Sequence, residues 1–179
     1  MRTAVHRFIP LILGVTFIAI ASLTYGAARA PKPSDPKVLD RGRYVVKIAG
    51  CNDCHTPGYA QTGGSVPEKD WLTGDQLGWR GEWGTTYAVN LRLFINSLTQ
   101  DQWVQVAKGM QTRPPMPWWI LHDMNQEDLK ALYAYVKWLG PAGEAAPGYV
   151  PPETEPVGPV VQFPAPPMKQ RSPLDSTTK

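Results

Sequence analysis

At 179 residues the chain has room for one domain plus appendages. Its formal charge of +3 is confined to residues 1 to 30, which hold three arginines and no acid, so that 15 basic and 15 acidic residues balance over the remainder. That balance gives no sign of a basic nucleic-acid-binding face and no ground for electrostatic steering toward an acidic partner.

Taken in order, residues 1 to 30 carry Arg2, His6 and Arg7, then an apolar run from Phe8 to Leu23, then Gly26-Ala27-Ala28-Arg29-Ala30. This is the layout of an export signal. Pro31 follows the best Ala-x-Ala site, and the run with its neighbours is about long enough to span a bilayer, so a cleaved signal peptide and an uncleaved membrane anchor are both open. In either case the basic flank directs the rest of the chain away from the cytoplasm, toward the periplasm.

Asp35 followed by Pro36 predicts a helix start, a cap residue and then proline at the first helical position. The helix runs to about Gly50, with Val38, Val45 and Ile48 on one face. Gly42 leaves a gap where another helix can approach. Directly after it comes Cys51-Asn52-Asp53-Cys54-His55. Two cysteines three residues apart with a histidine next to the second predict covalent attachment of one c-type haem. Each thiol adds to a vinyl group to form a thioether, and the tether brings the adjacent imidazole under the iron. A zinc site needs further ligands at compatible spacing, and the chain has no other cysteine. A thioredoxin-like pair requires no histidine and sits near a strand-helix-strand pattern, which is absent from the sequence.

From Thr56 to about Asn96 the sequence predicts a long loop, with glycines at 58, 63, 64, 74, 78, 81 and 84. A haem gives such a loop its reason, since irregular chain can wrap the ring and Trp71, Trp79, Trp83 and Tyr87 can cover it. Trp79 and Arg80 are candidates for hydrogen bonds to a haem propionate. For the aromatics the competing reading is ordinary packing.

Thr99-Gln100-Asp101-Gln102 has capping-box form and opens a helix carrying Trp103, Val106, Ala107 and Met110, with Gly109 near its end. The prolines of Arg113-Pro114-Pro115-Met116-Pro117-Trp118-Trp119 exclude helix over this stretch and hold the methionine on a stiff run. Met116 is therefore the candidate sixth ligand of the iron. Its competitors are Met110, Met124, His122 and an open position. The last helix is capped by Asn125, places Leu129, Leu132, Val136 and Leu139 in a seam, and stops at Gly140 and Pro141. Residues 141 to 179 contain ten prolines and predict an extended or disordered tail, lying along the domain through Tyr149, Val160, Val161 and Phe163 or reaching a partner.

A helix leading into Cys51-x-x-Cys54-His55, a Pro-rich loop with Met116 and an aromatic last helix together resemble a class I cytochrome c over roughly residues 37 to 140. More narrowly, Gly50 to Thr56, Asn90, Met116-Pro117 and Glu127-Asp128-Leu129-x-Ala131-Leu132-Tyr133-Ala134-Tyr135 resemble the single-haem cytochrome modules of bacterial membrane-bound dehydrogenases. Asn90-Leu91-Arg92-Leu93-Phe94 departs from the Asn-Ile-Thr-Pro-Asp that such modules usually carry. The resemblance implies an all-α fold of a few helices around one covalent haem, with His55 proximal and Met116 distal. The domain spans residues 31 to 140, between the signal or anchor and the tail of residues 141 to 179. The implied function is electron transfer between a periplasmic dehydrogenase, or another redox partner protein, and the respiratory chain. Two alternatives stand beside it: a haem enzyme, peroxidase-like or a dehydrogenase subunit, with a labile sixth ligand, and a docking subunit acting through its tail.

Overall fold

A computed structural model describes residues 35 to 164; the expected signal or anchor of residues 1 to 30 and the last 15 residues of the tail lie outside these. Helix α1, Pro36–Ile48, starts where the Asp35 carboxylate accepts from Lys37 N–H at 2.9 Å. It breaks at Gly50, whose φ of +68° turns the chain directly into the one-turn helix α2, Cys51–His55. Thr56, just beyond, donates to Asn52 Oδ1 at 2.7 Å and accepts from Leu72 N–H at 2.8 Å, which pins the haem motif to the following loop.

Three further helices follow, α3 Leu91–Asn96, α4 Gln100–Gly109 and α5 Trp119–Asp123, before the long helix α6, Gln126–Leu139. The expected caps are present: Thr99 and Gln102 form both bonds of the capping box, and Asn125 Oδ1 accepts from Asp128 N–H at 2.7 Å. Helices α1 and α6 cross at Gly42, where an added Cβ would lie 2.6 Å from Tyr135 Cβ and would also collide with the Ala131 carbonyl. Beside this crossing Arg41 donates two hydrogen bonds to Asp128, at 2.6 and 2.9 Å. Val45, Val46, Leu129, Leu132, Tyr135 and Val136 form the core between the two helices.

Two expectations are corrected. The fold is helical but not all-α, since β1 Gly78–Gly81, β2 Gly84–Tyr87 and β3 Val160–Gln162 form a sheet in the order β2-β1-β3. The stretch between Thr56 and Asn96 is accordingly not plain loop; it holds a short 3₁₀ turn at Glu68–Asp70, the antiparallel hairpin β1-β2 and helix α3. The hairpin escapes the sequence because its strands are four residues long and rich in glycine. Trp79, Thr85, Thr86 and Tyr87 are the β-favouring residues that signal it.

The described part of the Pro-rich tail runs back over this hairpin as a strap. Residue pairs Gly78–Val160 and Arg80–Gln162 set β3 parallel to β1, while Val150 bridges Thr85 of β2 through bonds of 2.7 and 3.0 Å. Both edges of a two-stranded ribbon, otherwise rows of unpaired backbone groups, are thereby occupied.

Candidate functional site

One cavity of about 350 Å³ is lined by residues of α1, α2, the hairpin, α3, α4, the Pro-rich loop, α5 and α6, a volume in the range of cofactor sites. Cys51, Cys54 and His55 lie in its lining, as do Val46, Leu72, Phe94, Trp103, Ile120 and Leu132. The two cysteines are not joined to each other, and burial pushes the Cys51 thiol up to about 12 and the Cys54 thiol upward as well. As free thiols they are held protonated; as thioethers neither carries an ionisable proton.

His55 is 7% exposed, and its Nδ1 lies 2.7 Å from the Val89 carbonyl oxygen. A carbonyl only accepts, so Nδ1 carries the proton and Nε2 keeps its lone pair. Burial lowers the imidazole pKa, a displacement the Val89 bond opposes in part, and the neutral ring that results is the form that ligates a metal. Anchoring the remote nitrogen to a backbone carbonyl fixes the ring's orientation, as metal-bound histidines require.

The backbone around His55 is built closely. Gly74 N–H donates to the His55 carbonyl at 2.8 Å, and with φ +80° Gly74 has Asn90 N only 2.8 Å from where a Cβ would stand. Leu72, fully buried, adopts φ +62°, a conformation that costs an ordinary residue about 1 kcal/mol. Two long-range bonds hold it, from its own N–H to Thr56 and from Arg92 N–H to its carbonyl at 3.2 Å.

Met116 lines the cavity, and so do Met110 and Met124. His122 does not; its Nε2 is bonded to the Met110 carbonyl at 2.9 Å and its ring packs on Trp118. Of the four loop aromatics, Trp79 and Tyr87 reach the lining, whereas Trp71 packs edge-on to Tyr59 and donates to the Val66 carbonyl, and Trp83 packs against Phe163. Arg80 turns away from the cavity into the strap. Its guanidinium serves the carbonyls of Pro152 and Thr154, the Thr85 hydroxyl and the Glu155 carboxylate. Arg113, unremarked as a haem contact in the sequence, stands in the lining instead.

Paired thiols, a neutral histidine with a free Nε2 and a largely apolar enclosure are the donor set and surroundings of a c-type haem, so the residues present fit the group. They define the protein class as one that carries a covalent haem. The chain belongs to the cytochrome c family, whose model matches residues 39–140; it is a monohaem cytochrome c with covalently bound haem. It is 31% identical over 136 residues to the cytochrome c subunit of the quinone alcohol dehydrogenase of Gluconacetobacter polyoxogenes, and equally to that of Komagataeibacter europaeus. To the corresponding subunit of Gluconobacter oxydans (strain 621H) it is 24% identical over 129 residues. These alignments take in 69%, 69% and 66% of this chain, but the chain spans only about a quarter of each relative, 27%, 27% and 24%. No solved structure matches it.

Proposed function

We propose that the protein is an exported electron carrier whose haem iron is held between His55 and Met116, receiving electrons from a periplasmic dehydrogenase and passing them to the respiratory chain. The observation that carries this reading is that His55, with Nε2 uncommitted, and Met116 line one cavity. Met116 is favoured over its neighbours by its setting. Met110 and Met124 are the C-cap residues of helices α4 and α5, with carbonyls engaged by His122 and by the Lys108 ammonium. Met116 belongs to no helix, lies between Pro115 and Pro117, and its carbonyl accepts from Trp118 N–H at 3.0 Å.

When bound, the haem supplies the one-electron couple. The chain's own contribution is to tether and enclose it, to keep His55 neutral and aligned, and to offer a thioether sulfur that raises the potential and closes the sixth position. A closed position suits electron transfer rather than chemistry on oxygen or peroxide. The dehydrogenase partner is supported by the relatives named as subunits of quinone alcohol dehydrogenases, and residues 1 to 30 act as signal or anchor in this reading. Met116→Ala is expected to retain covalent haem, to lose the sulfur-to-iron charge-transfer band of the oxidised spectrum and to bind carbon monoxide when reduced. A band that persists in the variant moves the ligand to another residue. Rapid carbon monoxide binding by the wild type turns the reading toward a haem enzyme.

A further inference from the structure

The cavity lining is mostly apolar, and among its polar members Thr86 is half-buried while the consecutive Gln111, Thr112 and Arg113 are exposed to solvent. Its other titratable members are the two cysteines, His55 and Tyr87, so Arg113 is the one fixed cation among the described residues that line it. Arg113 is exposed, and among the described residues it makes no ion pair. Its place is nonetheless fixed. The guanidinium carbon stands 3.8 Å from the centre of the Tyr149 ring, and Tyr149 O–H donates to the Trp83 carbonyl at 3.0 Å. The next residue on each side is also tied to the hairpin, Val150 through its bridge to Thr85 and Pro114 through its carbonyl, which accepts from the Thr86 hydroxyl at 2.7 Å. Stacking occupies the face of a guanidinium and leaves the in-plane N–H groups free, the donors that grip a carboxylate bidentately. The carboxylates on the strap are those of Glu144, Glu153 and Glu155, and Glu155 is paired with Arg80.

A covalently attached haem brings two propionate carboxylates, which need charged or hydrogen-bonding partners where they meet the protein. We propose that Arg113, presented by Tyr149 of the strap, is the positioning cation for a haem carboxylate and raises the reduction potential of the iron. The strap thus divides the labour of two arginines: it absorbs Arg80 and presents Arg113. This inference rests on the covalent haem and not on which residue is the sixth ligand.

The test is potentiometric titration of the holoprotein at several pH values for wild type, Arg113→Gln, Arg113→Lys and Tyr149→Leu, with covalent haem and the methionine band recorded for each. Loss of the cation in Arg113→Gln is expected to shift the redox equilibrium about tenfold toward the oxidised form, about 59 mV for a one-electron couple. It is also expected to move the pH at which the potential bends upward, because the carboxylate loses the charge that favours its ionised form. Arg113→Lys should recover most of the wild-type potential and Tyr149→Leu should fall between. Potentials and pH profiles of Arg113→Gln that overlay the wild type overturn the proposal, as does a lysine variant displaced as far as the glutamine one. A wild-type potential in Tyr149→Leu overturns the role of the strap. A missing methionine band in the wild type defeats the Met116 assignment while leaving the Arg113 shifts to be read on their own.

Discussion

Glu68 accepts at a single oxygen from two donors, Arg43 Nε and Tyr135 O–H, each at 2.6 Å. Burial alone would raise its pKa, but the Tyr135 and Arg43 hydrogen bonds together outweigh it and leave the carboxyl below its ordinary value of 4.5. A carboxylate depressed on folding adds stability that is complete above 4.5 and is lost as pH falls through the lower, folded value. Glu68→Gln is therefore expected to flatten the acid limb of stability against pH, in urea denaturation of the holoprotein followed from neutrality down to pH 3. An acid limb as steep as the wild type's would remove Glu68 from that role. Arg92 shows a different use of charge. Only 5% exposed, it donates to the carbonyls of Lys69, Leu139 and Gly140, so that one guanidinium satisfies the end of α6 and joins it to the 3₁₀ turn. Burial lowers its pKa, but arginine stays charged at any physiological pH, and a cation at a helix C-terminus is favourably placed.

At the scale of elements the decisive contact is the crossing of α1 and α6. Gly42 has no side chain there because Ala131 and Tyr135 fill the space that a Cβ would take. Since α1 leads straight into the haem motif, this crossing also sets where His55 stands. Gly42→Ala favours the isolated helix by its propensity yet must push the two helices apart. It is expected to destabilise the holoprotein by about 3 kcal/mol. Chemical denaturation monitored by haem absorbance measures the loss, and a gain in stability would mean that the crossing yields at low cost.

The whole molecule depends on a return of the chain upon itself. Asn90 contributes twice: its Oδ1 caps α3 through Leu93 N–H at 3.0 Å, and its Nδ2 donates to the carbonyls of Ala142 and Glu144, fixing the start of the strap. Farther along, Phe163 meets Trp83 and Trp79 at centroid separations of 5.1 and 6.0 Å. Aromatic pairs of this kind contribute roughly 1 kcal/mol each, so a chain ending at residue 148 is expected to keep its covalent haem and lose about 2 kcal/mol or more of stability. Thermal melting of the truncated holoprotein tests this; an unchanged transition would show that the strap rests on the hairpin without supporting it.

Read without a structure, the chain already determines its cofactor chemistry and the starts of α1, α4 and α6, but not those of α3, read as loop, or α5, which begins at Trp119 in a stretch read as non-helical. Cys51, Cys54 and His55 act within one helical turn, and Asp35, Thr99 and Asn125 cap helices through bonds spanning two or three residues, so spacing alone reveals them. The Gly42 gap was legible for a similar reason, as a residue without a side chain one turn before the buried Val45 and Val46, although Val38 and Ile48, expected on that face, are exposed. What tertiary structure alone decided is which groups face the cavity. Trp79 and Trp83 are four residues apart on one hairpin and both meet Phe163, yet of the two Trp79 alone reaches the cavity lining. Arg80 is claimed by carbonyls 72 and 74 positions away, and Arg113 is stacked on a ring from the tail. Composition marks that tail as unable to form a core of its own, but its pairing with β1 and β2 depends on backbone edges that exist only once the hairpin has formed. Long-range pairing of that kind leaves no periodicity in the sequence, and it determines which arginine is presented to the haem cavity.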